Sequence, residues 1–243
     1  MKKTIRLVAV FLLAFLLTSC ASAQGVSHTS PTPAPAFVDG YQIHPAENTF
    51  LLQIPIRPDP QRDTELILSI DGSLDERQYF LLAQNLRVLD AKTGEERQSF
   101  PLSYYDEPLL MTTLPMIDDI SAGVIVEDLN FDGYTDFRIS AEDGVVYFYW
   151  TWDAHNKQFD KDTELEALNL RYPEFDATEH TILSRYADSA TDSEERMYQY
   201  IDGTPKLVKW VKCSFDSDIE KLHVITAELQ DGGLFVKEEY VEE

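Results

Sequence analysis

Cysteine is almost absent from this chain of 243 residues, which contains only Cys20 and Cys213. If Cys20 carries a lipid, as discussed below, Cys213 has no partner within the chain, and an internal disulfide is excluded. The surrounding stretch KLVKWVKCSF alternates like a strand, so we expect a structural thiol rather than a reactive one. The fold must therefore be stabilised by its core alone.

Positive charge is also scarce, with 20 Lys and Arg residues against 43 Asp and Glu and a formal net charge of −23. A surface of this sign repels nucleic acid and anionic lipid headgroups, so we expect no nucleic-acid partner. It attracts metal ions and basic proteins instead, although high charge also serves plain solubility.

Near the start, the apolar run LVAVFLLAFLL has only 11 residues, whereas an ordinary membrane-spanning helix needs about 20. It follows the basic segment MKKTIR, and this order is typical of a bacterial export signal, here residues 1–19. Leu17-Thr18-Ser19-Cys20 resembles the lipobox of bacterial lipoproteins, which implies cleavage before Cys20 and a lipid on Cys20. We therefore expect an exported protein, anchored to a bacterial membrane and facing the periplasm or the cell exterior. An export signal with an incidental cysteine is the alternative.

Residues 20–37 are dominated by Ser, Thr, Pro and Ala. Such a composition buries little apolar surface and tends to stay extended, so we interpret this segment as a flexible tether. Residues 38–243 then form a single domain, which is long enough for one sizeable core.

Helical periodicity is rare, and alternation with a period of two predominates. Runs of this kind predict strands at 49–56, 65–70, 85–89, 123–129, 145–152, 196–201, 206–215, 222–229 and 233–241. Asp-Gly pairs are a strong hairpin signal, and they predict turns at 71–72, 143–144, 202–203 and 231–232. Further hairpin turns are predicted at 92–94 and 155–156, a helix at 161–168, and a helix or strand at 74–84. We expect a mainly β fold of antiparallel hairpins, in an irregular propeller-like or sandwich domain.

Motifs of the common enzyme classes are missing, since no G-x-S-x-G, H-E-x-x-H or P-loop pattern occurs. The five histidines are scattered along the chain. We therefore expect a non-enzymatic protein, with an envelope glycan hydrolase or glycan-binding protein as the alternative. In the aromatic run at 147–152, Phe148, Trp150 and Trp152 share one strand face and are expected in the core. Tyr147 and Tyr149 share the other face, which is a candidate adhesive surface.

The most informative stretch is EDLNFDGYTDFRIS at residues 127–140. Counted from Asp128, oxygen-bearing side chains fall at positions 1, 3, 5 and 9 (Asp128, Asn130, Asp132 and Asp136), with Gly133 at position 6. Glycine at 6 permits a sharp bend, and Tyr134 at position 7 offers its carbonyl, as in the first part of a calcium loop. Position 12 is isoleucine and strands flank the loop, so it is not an EF-hand. The spacing matches calcium loops in β hairpins of propeller-type repeats.

Calcium suits this all-oxygen set better than the other common divalent ions. Magnesium tends to keep its waters and needs stricter geometry, and zinc prefers the His and Cys side chains that the loop lacks. The alternative is a metal-free turn, in which Asp and Asn side chains accept hydrogen bonds from the loop backbone.

Three consecutive segments, VEDLNFDGYTDFRI, YFYWTWDAHNKQF and LEALNLRYPEFD, together resemble a family of bacterial calcium-binding lipoproteins. That family includes a periplasmic immunity protein that inhibits a lysozyme-like effector of a type IV secretion system. The resemblance covers about residues 85–215. It implies calcium ligation by Asp128, Asn130, Asp132, Asp136 and the Tyr134 carbonyl. It also implies a basic cell-wall hydrolase as the partner and hydrolase inhibition as the function, although no inhibitory loop is recognisable.

Overall fold

Antiparallel strands dominate the computed structural model, which confirms the mainly β prediction. The structure describes residues 39–113, 123–142, 144–189, 191–230 and 232–241. All of them belong to one unit, Pro35–Glu243. The predicted export signal at 1–19, Cys20 and the tether at 20–37 lie outside the described residues.

The first sheet has seven strands and is built from sequential hairpins. Its strands are β1 (Gly40–His44), β2 (Thr49–Ile56), β3 (Leu66–Leu74), β4 (Phe80–Asp90), β5 (Glu96–Pro101), β6 (Ser103–Tyr104) and β7 (Glu107–Thr113). The order is β1-β2-β3-β4-β7-β6, and β5 also pairs with β4.

The second sheet carries the acidic loop and has four strands in the order β11-β10-β9-β8. They are β8 (Val124–Glu127), β9 (Asp136–Ser140), β10 (Tyr147–Asp153) and β11 (Gln158–Lys161). A short helix, α1 (Thr163–Ala167), follows and confirms the helix predicted at 161–168. The Asp162 side chain caps it by accepting a 2.9 Å hydrogen bond from the Leu165 N–H.

The third sheet is a six-stranded meander in sequence order. Its strands are β12 (Glu174–Asp176), β13 (Thr181–Ala187), β14 (Ser193–Ile201), β15 (Thr204–Asp216), β16 (Lys221–Gln230) and β17 (Gly233–Val241). The predicted strands 49–56 and 233–241 coincide with β2 and β17.

Two cores lie on opposite faces of the second sheet. The larger core packs residues of the first sheet such as Phe50 and Leu68 against Phe137, Trp150 and Phe159. The rings of Phe137 and Trp150 stack with centroids 5.2 Å apart. Of the three expected core residues, Trp150 and Trp152 are confirmed, with exposures of 1% and 8%, and Phe148 is half-buried against the same core.

The smaller core overturns the prediction that Tyr147 and Tyr149 form an adhesive surface. Tyr149 is 1% exposed and belongs to one buried cluster with Leu129 of the acidic loop, Leu165 of α1 and Ile182 of β13. Tyr147 is half-buried against the same cluster. Both faces of β10 are covered because the second sheet lies between two cores. Alternation within the strand showed which residues share a face, but it could not show that the second face is also covered.

The turn predicted at Asp71-Gly72 is wrong, since both residues lie inside β3. A β-bulge falls between them in the pairing with β4. An added Cβ at Gly72 would lie 2.0 Å from the Leu82 carbonyl oxygen and 2.9 Å from the Phe50 ring. The glycine is therefore explained by a close backbone approach, as glycine within a strand often is.

The remaining turn predictions fare better where the structure describes them. Residues 92–94 connect β4 to β5, 155–156 connect β10 to β11, and 202–203 connect β14 to β15, as predicted. Asp143 and Asp231 lie outside the described residues. The ambiguous segment 74–84 contains no helix and contributes the first half of β4.

Within the described ranges, no helix is long and apolar enough to span a membrane.

Candidate metal-binding loop

The acidic loop connects β8 to β9 and is held by apolar residues at its even positions. Leu129 is fully buried in the smaller core. Phe131 packs on the same core, with its ring stacked 5.3 Å from His180 and edge-on to Tyr200 at 5.1 Å. These anchors fix the hairpin tip from one side and leave Asp128, Asn130 and Asp132 exposed or half-buried on the other.

The other end of the loop is attached to the β2–β3 connection and to the larger core. The Thr135 N–H donates a 2.8 Å hydrogen bond to the Pro58 carbonyl, and the Tyr134 ring packs against the larger core. Phe131 and Gly133 have φ values of +60° and +86°, in the left-handed region that bends the chain sharply. The loop is thus a constrained turn attached to both cores.

Three consecutive backbone N–H groups, those of Asp132, Gly133 and Tyr134, turn towards the acidic side chains. Asp128 accepts from Asp132 at 3.1 Å and from Gly133 at 2.9 Å. Asn130 accepts from Asp132 at 3.1 Å, and Asp132 accepts from Tyr134 at 2.9 Å. This network has the geometry of the metal-free alternative. It also leaves capacity for a metal ion, because each carboxylate oxygen has two lone pairs.

Asp136 differs from the other three because it is fully buried. One oxygen accepts the Leu129 N–H at 3.0 Å and the other accepts the Trp152 N–H at 2.7 Å. The carboxylate therefore joins the start of the loop to the end of β10. The pKa of Asp136 is raised to about 7, chiefly by burial. The N–H groups of Trp152 and Leu129 oppose this rise, and the neighbouring Asp132 and Asp128 carboxylates contribute to it.

No cationic side chain compensates these charges in the described part of the chain. None of its ion pairs includes Asp128, Asp132 or Asp136. The buried cation on the same sheet is Arg138, whose Nε lies 2.8 Å from the Glu127 carboxylate. Arg138 also donates to the Pro173 carbonyl at 2.9 Å and lies over the Tyr147 ring at 4.6 Å. The guanidinium charge of Arg138 is therefore paired with the Glu127 carboxylate and not with the acidic loop.

The structure brings the five predicted ligand residues into one turn, in which the Asp128 and Asp132 carboxylates lie close enough to the buried Asp136 carboxylate to affect its pKa. The described residues do not, however, contain three His, Cys, Asp or Glu side chains that already form a metal-holding group. The donor types and the uncompensated buried charge fit a hard cation, while a closed coordination sphere is not formed by the side chains as they stand.

A cleft of about 210 Å³ adjoins the loop at Tyr134. Arg62, Arg97 and Lys157 line it together with Trp152. Two of these cations are paired, Arg62 with Asp59 at 2.9 Å and Arg97 with Asp90. Sequence reasoning missed this cleft, because its residues come from four separate segments and no local motif connects them.

Comparison with models of known families gives no match, and neither does comparison with curated proteins. Among solved structures, the chain is similar to one titled "Structure of a Xanthomonas Type IV Secretion System related protein". The two are 12% identical, the match covers 86% of this chain and 92% of that chain, and the TM-score is 0.41. A likeness of this strength carries no argument about fold or function.

Proposed function

We propose that this chain is a lipid-anchored, extracytoplasmic calcium-binding protein that binds a partner protein without catalysing a reaction. The observation that carries the calcium assignment is the fully buried Asp136 carboxylate. It lies beside the acidic side chains of Asp128 and Asp132, and no described cationic side chain pairs with it.

A buried ionised carboxylate is costly unless an opposite charge or strong hydrogen bonds compensate it. The two N–H groups on Asp136 oppose the cost, but burial and two neighbouring carboxylates still raise its pKa to about 7. A bound divalent cation would supply the missing positive charge. Asp128, Asn130, Asp132, Asp136 and the Tyr134 carbonyl would hold it, and an all-oxygen set of this kind suits calcium.

The binding role is supported by sequence features. The lipobox-like Leu-Thr-Ser-Cys order favours an anchored position at the envelope, and the net charge of −23 favours a basic partner. The resemblance to calcium-binding immunity lipoproteins suggests a cell-wall hydrolase as that partner, and inhibition of the hydrolase as the function. Burial of Tyr149 weighs against the glycan-binding alternative, since it removes the proposed aromatic surface.

Thermal unfolding of the full chain in detergent tests the calcium site. Calcium at a hundredfold excess over Kd stabilises a native state that alone binds it by about 2.7 kcal/mol. For a domain of this size we expect Tm to rise by about 5–10 °C over the value in chelator. Exported modules often have Kd values of about 0.1–1 mM, so the titration must extend to tens of millimolar. Asp132→Ala should abolish the response.

Asp153→Ala is the matched control. Asp153 caps the β10–β11 turn by accepting from the N–H groups of His155 and Asn156 at 2.8 and 3.0 Å, outside the acidic loop. This variant should lower Tm and keep the full calcium response. Equal Tm values for the wild type with calcium and with chelator would contradict the site and leave the metal-free turn as its description.

The partner is tested by capture from envelope and secreted proteins on the immobilised full chain, with calcium present. We expect a basic hydrolase that is retained at low salt, is released as the Debye length falls from about 10 Å at 0.1 M to 3 Å at 1 M, and loses activity when bound. Release of soluble glycan fragments from cell wall by the purified chain itself would instead support the hydrolase alternative.

A further inference from the structure

Strand β17 is an unusually exposed edge of the third sheet. All nine of its residues are exposed. Five large apolar side chains are among them, with exposures of 43–60%: Leu234, Phe235, Val236, Tyr240 and Val241. A long apolar edge strand is a template for pairing with another strand, because its outer N–H and C=O groups are free to bond.

The other edge strands of the three sheets are short. β1, β5, β6, β8, β11 and β12 have between two and six residues. Short edge strands are one of the ways in which proteins avoid unwanted pairing. β17 lacks this protection. The two preceding strands, β15 and β16, contribute little to a core, since Ala227 is the one buried residue that the structure describes in them.

The hairpin geometry determines which backbone groups of β17 point outwards. Gln230 of β16 pairs with Gly233 of β17 next to the turn, and this pair is a hydrogen-bonded one. Hydrogen-bonded pairs then alternate along the strand, so every second residue of β17 exchanges hydrogen bonds with β16, namely 233, 235, 237, 239 and 241. The N–H and C=O groups of Leu234, Val236, Glu238 and Tyr240 therefore face away from the sheet. These four residues can accept a further antiparallel strand.

A second copy of β17 is itself complementary to this edge in one register. Two-fold symmetry between antiparallel strands requires one residue to lie opposite its own copy, so that facing side chains share a face. With Glu238 on the axis, Lys237 lies opposite Glu239, Val236 opposite Tyr240, and Phe235 opposite Val241. Each pair occurs twice, and opposite-charge and aromatic–β-branched pairs are the favourable cross-strand types.

The neighbouring symmetric register is less favourable. With Lys237 on the axis, the two lysines face each other, and Phe235 lies opposite Glu239. The chosen register has one unfavourable pair, Glu238 opposite its copy, where His223 lies 3.5 Å from the Glu238 carboxylate within each chain.

We propose that β17 pairs antiparallel with β17 of a second copy of this chain, with Glu238 at the two-fold axis, so that two third sheets join into one continuous sheet. The high net negative charge opposes association at long range. Salt at 0.1 M or above screens that repulsion beyond about 10 Å and leaves the short-range pairs to act.

Disulfide trapping of the full chain in detergent tests the register directly. Hydrogen-bonded antiparallel pairs have Cα atoms about 5.5 Å apart, within the range of about 4.4–6.8 Å that a disulfide needs. E238C should form a covalent dimer under mild oxidation, whereas K237C should form far less because its partner is Glu239. The wild type, which retains Cys213, and K92C at the β4–β5 turn are the controls. Equal trapping in all four, or trapping preferentially in K237C, would overturn the proposal.

Charge substitutions test the pairing by sedimentation of the full chain in detergent. K237E places like charges opposite each other twice, so we expect the dimer to weaken at least about tenfold. The double change K237E/E239K should restore it, because the two opposite charges are exchanged. E238Q removes the like-charge pair on the axis and should tighten the dimer about two- to fivefold. K92E makes the same change in net charge as K237E and should have no effect.

A wild-type chain that stays monomeric at concentrations of tens of micromolar would overturn the proposal. So would a dimer that survives Val236→Pro, since proline removes an outward N–H and blocks an edge without affecting a bond to β16.

Discussion

At the scale of single residues, the second sheet contains two buried charges with different compensation. Arg138 is buried, but Glu127, the Pro173 carbonyl and two aromatic rings surround its guanidinium group. Asp136 is buried with two N–H donors and acidic neighbours. The first charge is balanced within the described residues and the second is not, which is why we propose a metal site at Asp136 and none at Arg138.

Arg138→Ala should strongly destabilise the fold. The change removes the cation from a buried pair and leaves the Glu127 carboxylate without its partner, which costs about 3–5 kcal/mol in comparable cases. Arg185→Ala is the control, since Arg185 is 56% exposed and pairs with Glu174 and Glu195 at the surface. Its loss should cost less than about 1 kcal/mol. Urea unfolding of both variants measures the difference, and similar costs for the two would contradict the role of Arg138.

The β4–β5 turn should give a pH-dependent contribution to stability. Asp90 pairs with Arg97, and its side chain accepts the N–H groups of Thr93 and Lys92. These contacts, led by the Arg97 side chain, lower its pKa to about 2. Because the folded pKa lies below the unfolded one, the stabilisation is present above about pH 4 and is lost as pH falls towards 2.

Asp90→Asn keeps an oxygen for the two N–H groups and removes the charge. The variant should be less stable than the wild type at pH 7, and the gap should narrow as urea unfolding is repeated between pH 4 and the lowest pH at which the fold persists. A gap that is constant with pH would show that the charge of Asp90 makes no contribution.

At the scale of elements, local patterns predicted where the strands lie, and long-range packing determined which of their faces are covered. Alternation located β2 and β17 correctly, although only β2 buries every second side chain and all nine residues of β17 are exposed. The same pattern could not show that the second sheet is covered on both faces. That depends on contacts with the third sheet, such as the one between Tyr149 and Phe175 of β12, whose ring centroids lie 6.3 Å apart.

The acidic loop likewise has some features that local sequence predicts and others that depend on long-range packing. Its oxygen-bearing residues and its glycine were identifiable from spacing, since ligand spacing is a local property. The burial of Asp136 was not, because it depends on the Trp152 N–H of another strand and on the core beneath the loop. The incorrect prediction of a turn at Asp71-Gly72 has a related cause. Asp-Gly indicates a turn only where no other strand approaches the glycine closely.

Gly72→Ala should therefore destabilise the first sheet more than an equivalent change in a true turn. The new Cβ would meet the Leu82 carbonyl at 2.0 Å, and relieving this overlap requires separation of β3 from β4, at a cost of about 2 kcal/mol or more. At Gly203 the same change meets no atom within 4 Å and costs only the strain of a φ of +76°, about 1 kcal/mol. Urea unfolding should rank the variants in this order, and the reverse ranking would contradict the close approach.

At the scale of the whole molecule, the acidic surface leaves membrane attachment to the proposed lipid anchor. A chain with a formal net charge of −23 is repelled by anionic lipid headgroups, so charge does not hold it at a membrane. Attachment would have to come from the lipid that the lipobox resemblance assigns to Cys20. Acyl chains contribute about 0.8 kcal/mol per buried methylene, and more than one chain gives stable anchoring.

Cys20→Ala should release the protein from the membrane fraction of expressing cells, because the attachment point for the lipid is removed and no electrostatic attraction replaces it. Cys213→Ala is the matched control: it removes the other cysteine of the chain, half-buried in β15, and should leave the protein in the membrane fraction. Fractionation followed by immunodetection separates the two outcomes, and mass spectrometry of the N-terminal peptide identifies the cleavage site. A Cys20→Ala protein that remains membrane-bound after normal removal of residues 1–19 would show that something other than a lipid on Cys20 holds it there.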